Sequence, residues 1–135
     1  VFALKNAFLA GAVAGLIAGI LAGAITYVGL SMGLGGIKVP MINAFVATFL
    51  LTIFFGTIFG LLYQALYNSI PSEGVKKGFL FGLIIWLIKD ITAGAYLAFV
   101  SSMNVYYLAA ATNLIVVGSY QWMLYGLALG YLYTK

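Results

Sequence analysis

The chain has 135 residues, 65% of them hydrophobic and only 6% charged, with a formal net charge of +4. A soluble domain carries about a quarter charged residues, so there is too little charge here to cover a water-facing surface, and the mean hydropathy of +1.18 reads as an all-α integral membrane protein. With no Cys, no His, and Glu73 and Asp90 as the only carboxylates, thiolate, imidazole and paired-carboxylate chemistry lack their residues, so no catalytic residue, cofactor or metal site is expected.

A spanning helix needs about 20 apolar residues, and four such segments follow one another. The first covers residues 6–30. It carries Gly11, Gly15, Gly19 and Gly23 at four-residue spacing, flanked by Ala14, Ala18 and Ala22. Glycine at every fourth position leaves a groove in which another backbone can come close, and such packing drives helix association in lipid. Ala22-Gly23-Ala24 resembles a signal-peptide cleavage site, but the apolar run before it is longer than a signal core; the segment is expected to stay as a helix. The Gly-rich stretch 31–40 (SMGLGGIKVP) stops one helix and restarts the next. The second segment, 42–67, holds Thr52 at mid-length and Gly56 and Gly60. Residues 68–73 (NSIPSE), followed by Gly74, form a turn; Glu73, Lys76 and Lys77 are read there as solvated charges without a role. The third segment, 77–100, adds Gly78 and Gly82. A short polar loop, 101–107, leads to the fourth, 109–133, with Gln121, Gly126 and Gly130.

Orientation follows from the lysines. Lys5, Lys76, Lys77 and Lys135 fall on one side of a four-span arrangement and Lys38 on the other. The positive-inside rule then places both termini and the central turn in the cytoplasm, with the protein in the cell membrane. Tyr27, Tyr63, Tyr67, Tyr106, Tyr107, Tyr131 and Tyr133 lie near segment ends, where an interfacial aromatic belt is expected. Scattered lysines are no footprint for nucleic acid.

The halves resemble each other. With Lys5 placed over Lys76, Phe8-Leu9 falls on Phe79-Leu80, Gly11 on Gly82 and Ala22-Gly23-Ala24 on Ala93-Gly94-Ala95. After a one-residue slip, Asn43 meets Asn113, Gly56 meets Gly126, Gly60 meets Gly130 and Leu62-Tyr63 meets Leu132-Tyr133. The expected architecture is a single four-helix domain over 1–135, built as two hairpins, about 1–70 and 71–135, running in parallel.

One feature is costly. Lys89 and Asp90 sit about 20 Å from the Lys76 end of the third segment at 1.5 Å per residue. A charge near the bilayer centre costs about 2.5–3.5 kcal/mol on insertion scales. Successive helical side chains point about 100° apart, so the two are not expected to pair squarely. Gln121 and Thr52 reach the same depth as candidate partners, Ala18 and Gly19 leave room there, and Trp86 can wall the cluster from lipid. The expectations for this cluster are a midplane site for an ion or solute, or a polar knot that fixes helix register.

Two resemblances are carried by particular residues. Gln121-Trp-Met-Leu-Tyr125-Gly126-Leu127 is similar to the carboxylate-x-x-x-Tyr-Gly-Leu segment of the proteolipid rotor subunits of rotary ATPases. That family needs an acid where this chain has Gln121, and Asp90 lies on the wrong helix. Gly60-Leu-Leu-Tyr63, Ile70-Pro71-Ser-Glu-Gly74-Val-Lys-Lys77-Gly78 and Phe81-Gly82 through Trp86-Leu resemble small uncharacterised four-helix membrane proteins of prokaryotes, over about a third of the chain. That resemblance implies a four-helix membrane fold and no particular activity.

Two functions follow as expectations. In the first, a small structural or accessory subunit uses its glycine stripes (Gly11, Gly15, Gly19, Gly23, Gly56, Gly60, Gly126, Gly130) to pack into a homo-oligomer or against other membrane-protein subunits. In the second, a small transporter or channel works through Lys89, Asp90, Gln121 and Thr52. The lipid bilayer is the surrounding partner in both.

Overall fold

The computed structural model describes residues 5–31, 41–100 and 105–133, so residues 1–4, 32–40, 101–104 and 134–135, with Lys38 and Lys135, lie outside the described residues. The described chain is helical: α1 (Ala7–Ser31), α2 (Met41–Leu66), α3 (Gly74–Val100) and α4 (Val105–Leu132). Helices α1, α2 and α3 are long and apolar enough to cross a membrane. Helix α4 is 28 residues long, but Ser119, Tyr120 and Gln121 interrupt its apolar run.

Local chemistry sets the ends. Asn6 caps α1, its Oδ1 accepting from the backbone N–H of Phe8 at 3.0 Å and of Leu9 at 3.2 Å, which satisfies two donors the helix cannot use itself. Between α2 and α3 the buried side chain of Ile70 anchors the turn. Gly74 opens α3 at φ +54, where an L side chain would be strained.

Helix α3 is irregular in its middle. Residues Trp86–Ile91 form a π-helical segment between two α-helical stretches. Such i→i+5 segments are rare and concentrate at functional places in helices.

α1 packs along α2, α3 packs along α4, and α1 also meets α4. This puts α1 and α4 at the centre and α2 and α3 outside them. The starts of α1 and α3 share one end with the finishes of α2 and α4, since Tyr63, Tyr67, Phe81 and Tyr133 join their rings there.

Within each hairpin the backbones touch. A Cβ added to Gly11 would stand 2.5 Å from Gly56 O and 2.8 Å from Gly60 Cα, and one on Gly15 2.8 Å from Thr52 O. In the second hairpin a Cβ on Gly78 would stand 2.6 Å from Gly130 Cα, and one on Gly82 3.2 Å from Gly126 Cα. No side chain fits in either seam. Gly19 and Gly23 face the rings of Phe49 and Phe45. Each glycine of the four-residue stripes therefore has a neighbour inside the chain. The register differs from the superposition of the halves. Gly60 meets Gly11, but its counterpart Gly130 meets Gly78, one turn before the Gly82 that the alignment pairs with Gly11.

The core is built from small residues and rings. Ala10, Ala14 and Ala18 are fully buried, as are Tyr63, Trp122, Tyr125 and Leu129. Two expectations need correcting. Tyr63 and Tyr133 are buried in the ring cluster that fills the gap between hairpins, not in an outer belt; Tyr27 and Tyr131 do face outward. Lys77 is buried too. Its Nζ donates to Tyr67 O at 2.7 Å and sits 4.1 Å from the Tyr67 ring centroid, partners that replace the water it was expected to keep.

Candidate functional site

The polar residues marked in the sequence come from three helices. Thr52 lies in α2, Lys89 and Asp90 in the π segment of α3, and Gln121 in α4. Each is roughly 15 Å or more from either end of its helix at 1.5 Å per residue.

Gln121 and Thr52 join the hairpins. Gln121 Nε2 donates to Thr52 Oγ1, whose own proton goes to Thr48 O at 2.6 Å. One turn further along α4, Tyr125 donates its hydroxyl to Gly56 O at 2.5 Å. Polar atoms at this depth have no water to turn to, so such bonds fix how the hairpins face each other.

Lys89 and Asp90 do pair: Nζ donates to Oδ1 at 2.9 Å. This corrects the expectation drawn from ordinary helical spacing. The π segment has more residues per turn, so successive side chains point closer together, and the flexible lysine stem covers the remaining angle. Lys89 Nζ also lies 5.1 Å from the Trp122 ring centroid and 5.7 Å from that of Phe55, within the range of a cation–π contact.

The partners differ in access. The Lys89 side chain is 34% exposed and that of Asp90 1%. The Asp90 carboxylate lies against the backbone of Gly118: a Cβ there would stand 2.6 Å from Asp90 Cγ and overlap Oδ2. Oδ2 has no hydrogen-bond partner, and neither has the indole Nε1 of Trp122.

Beside the pair is a half-open pocket of about 170 Å³, lined by Thr48, Thr52, Phe55, Lys89, Gln121 and Trp122. Asp90 is not on its wall. The structure thus gathers Thr52, Lys89 and Gln121 at one pocket and sets Asp90 behind Lys89. Trp86 is half-buried and donates from Nε1 to Ile115 O at 2.8 Å, pinning the π segment to α4. One neighbour differs from expectation. Gly19, expected to make room for the pair, meets Phe49 and Thr52 of α2.

Sequence reasoning missed Gly118 and the aromatic walls Phe55 and Trp122. Gly118 could have been found as the small residue one turn before Gln121, at the depth of Asp90. Among the described residues no group of three or more His, Cys, Asp or Glu could hold a metal ion. The groups present can bind a solute through an ammonium and an amide and can hold a proton on a carboxylate. Comparison with family models, with curated proteins and with solved structures finds no match.

Proposed function

We propose that this protein is an integral membrane protein of the cell membrane, made of two like hairpins that run in parallel, and that it carries or conducts a small solute through the mid-height pocket. Both termini and the 67–73 turn lie on the cytoplasmic side in this reading. Support for insertion comes from the three long apolar helices and from the large apolar residues they expose, among them Leu16, Ile20, Leu50 and Phe54, which suit lipid and not water. Support for like hairpins comes from the matching glycine-to-glycine seams.

One observation carries the functional reading. An ammonium that is 34% exposed opens into a pocket at mid-length of helices with spanning dimensions. A knot that served register alone would close over its charges. Ionisable groups at that depth mark ion and substrate pathways. The test is flux in liposomes, with sodium, potassium, chloride and lactate tried in turn. Wild type conducts one class; Lys89→Met and Asp90→Asn lose at least ~10-fold while circular dichroism and insertion stay unchanged. No flux of any probe through folded, inserted protein would remove the reading.

A second reading, an accessory subunit in a homo-oligomer or larger membrane complex, draws on the far end of α3, where Phe99 is 85% exposed beside exposed Tyr96 and Val100. Purification in mild detergent with mass measurement tests it. A defined oligomer or stoichiometric partner supports it, and a clean monomer in detergent and in lipid opposes it.

A further inference from the structure

We infer that the pocket takes a small monovalent anion on Lys89, and that each anion enters together with one proton, which goes to Asp90. The inference rests on the solute-carrying reading above and names its substrate class and coupling.

The choice of anion follows from which charge a solute meets. Lys89 is on the pocket wall and Asp90 is not. Lys89 Nζ spends one donor on Asp90 Oδ1, leaving the others for a ligand. Gln121 Nε2 has one hydrogen on Thr52 and a second to give. Thr52 is committed to Thr48 O, so the donors left to greet a ligand are an ammonium and an amide. The faces of Phe55 and Trp122 complete a wall that suits an ion of few atoms. A volume of about 170 Å³ exceeds the ~10–15 Å³ that one water needs, so both a halide and a small carboxylate fit.

The proton follows from charge. The resting pair is neutral at mid-depth. An anion arriving alone would leave one net negative charge there, a cost of the order of 2.5–3.5 kcal/mol or more. A proton on Asp90 removes it. The anion takes the place of Asp90 Oδ1 on Lys89 Nζ, and a proton from the bulk bonds to a carboxylate oxygen, so the site returns to neutrality with nothing else consumed. Oδ2 is free of any hydrogen-bond partner, so a protonation site is open. Among the described residues no competing titratable group faces the pair. Thr52 and Phe55 face it from α2, and Gly118, Gln121 and Trp122 from α4; none of these titrates. Tyr125, further along α4, has its hydroxyl engaged with Gly56 O.

The experiment is titration of purified protein in detergent with chloride and, separately, lactate. Tryptophan fluorescence reports binding through Trp122, and a pH electrode in weakly buffered solution reports protons. Expected are saturable quenching by at least one of the two anions, about one proton taken up per anion bound, and affinity that falls as pH rises. Chloride alone assigns a halide site, lactate alone a carboxylate site, and both a general anion site. Lys89→Met loses at least ~10-fold in affinity. Asp90→Asn, neutral and nearly the same shape, binds the anion without proton uptake and with an affinity that no longer falls as pH rises. Quenching unchanged in Lys89→Met, binding without proton uptake, or no binding of either anion by folded wild type overturns the inference. Binding with proton uptake but without liposome flux leaves the inference and removes the carrier reading; flux of a cation without anion binding does the reverse.

Discussion

Gly118→Ala is the sharpest probe of how Asp90 is held. The added Cβ would stand 2.6 Å from Asp90 Cγ and 3.2 Å from its Cβ, so the whole short side chain is in the way and no rotation of the carboxylate alone clears it. Asp90 is 1% exposed and fixed to Lys89 at 2.9 Å, so it has nowhere free to move. Overpacking of this kind costs about 1–3 kcal/mol. Loosening the ion pair leaves buried charge poorly satisfied, roughly another 1–3 kcal/mol. Against this, alanine is favoured over glycine in a helix by about 1 kcal/mol. The net, taken at the middle of these ranges, is a destabilisation of about 3 kcal/mol. In an Asp90→Ala background both unfavourable terms vanish and the helical preference remains, so the same substitution there stabilises by up to about 1 kcal/mol. The sign reverses between backgrounds, a coupling of about 4 kcal/mol, well beyond the ~0.5 kcal/mol within which independent sites add. Reversible unfolding in mixed micelles, followed by tryptophan fluorescence, measures all four proteins. Equal effects of Gly118→Ala in the two backgrounds would refute the close approach of Asp90 to α4.

Other substitutions test the remaining contacts. Gly78→Val places three carbons into a seam where even a Cβ stands 2.6 Å from Gly130 Cα, so the cost exceeds about 3 kcal/mol, and the second hairpin fails to form in the same unfolding assay. Tyr125→Phe removes the hydroxyl that bonds Gly56 O at 2.5 Å; because that carbonyl lies within a helix, the loss is a modest 0.5–1.5 kcal/mol or about that, with anion titration unchanged. Lys77→Met removes the 2.7 Å bond to Tyr67 O and the contact with its ring, and lowers stability by about 1–2 kcal/mol, whereas Lys76→Met, on an exposed residue, changes it by less than about 0.5 kcal/mol.

What could be read in advance follows from what each signal depends on. Helix existence depends on local apolar runs, and the elements fall within a few residues of the segments read from the sequence: 6–30 against Ala7–Ser31, and 42–67 against Met41–Leu66. Depth depends on counting along those helices, so Thr52, Lys89 and Gln121 could be matched by level before any contact was known. Azimuth is another matter. Whether Lys89 and Asp90 can meet depends on the π segment at Trp86–Ile91, and no residue there announces one. The burial of Lys77 and Tyr63 depends on how two hairpins close at their shared end, a tertiary fact. Gly118 carries no spacing signal of its own, because its importance lies in the side chain opposite. The one-turn shift of Gly78 against Gly82 was hidden for a similar reason: glycine repeats at four-residue spacing match as well after sliding by a turn.

The seams also explain why the pocket lies where it does. Where Gly11 and Gly15 meet Gly56 and Gly60, and where Gly78 and Gly82 meet Gly126 and Gly130, backbone lies against backbone and no volume remains for a ligand. The pocket lies instead between the hairpins, where residues of α2, α3 and α4 line it. At the turn end Tyr63, Phe81 and Tyr133 fill the gap between hairpins completely. Towards mid-height Phe55, Phe59 and Trp122 fill it in part, and what they leave open is the space beside Lys89. The first half offers Ala18-Gly19 at the positions that align with Lys89-Asp90; Gly19 is spent on the close approach of α1 to α2 and Ala18 is fully buried in the core. A charge pair could not be housed there without prising the first seam apart. In the second half the π segment and Gly118 supply the width that the pair needs, so the charge pair sits in one hairpin while the pocket beside it is shared with Thr52 and Phe55 of the other.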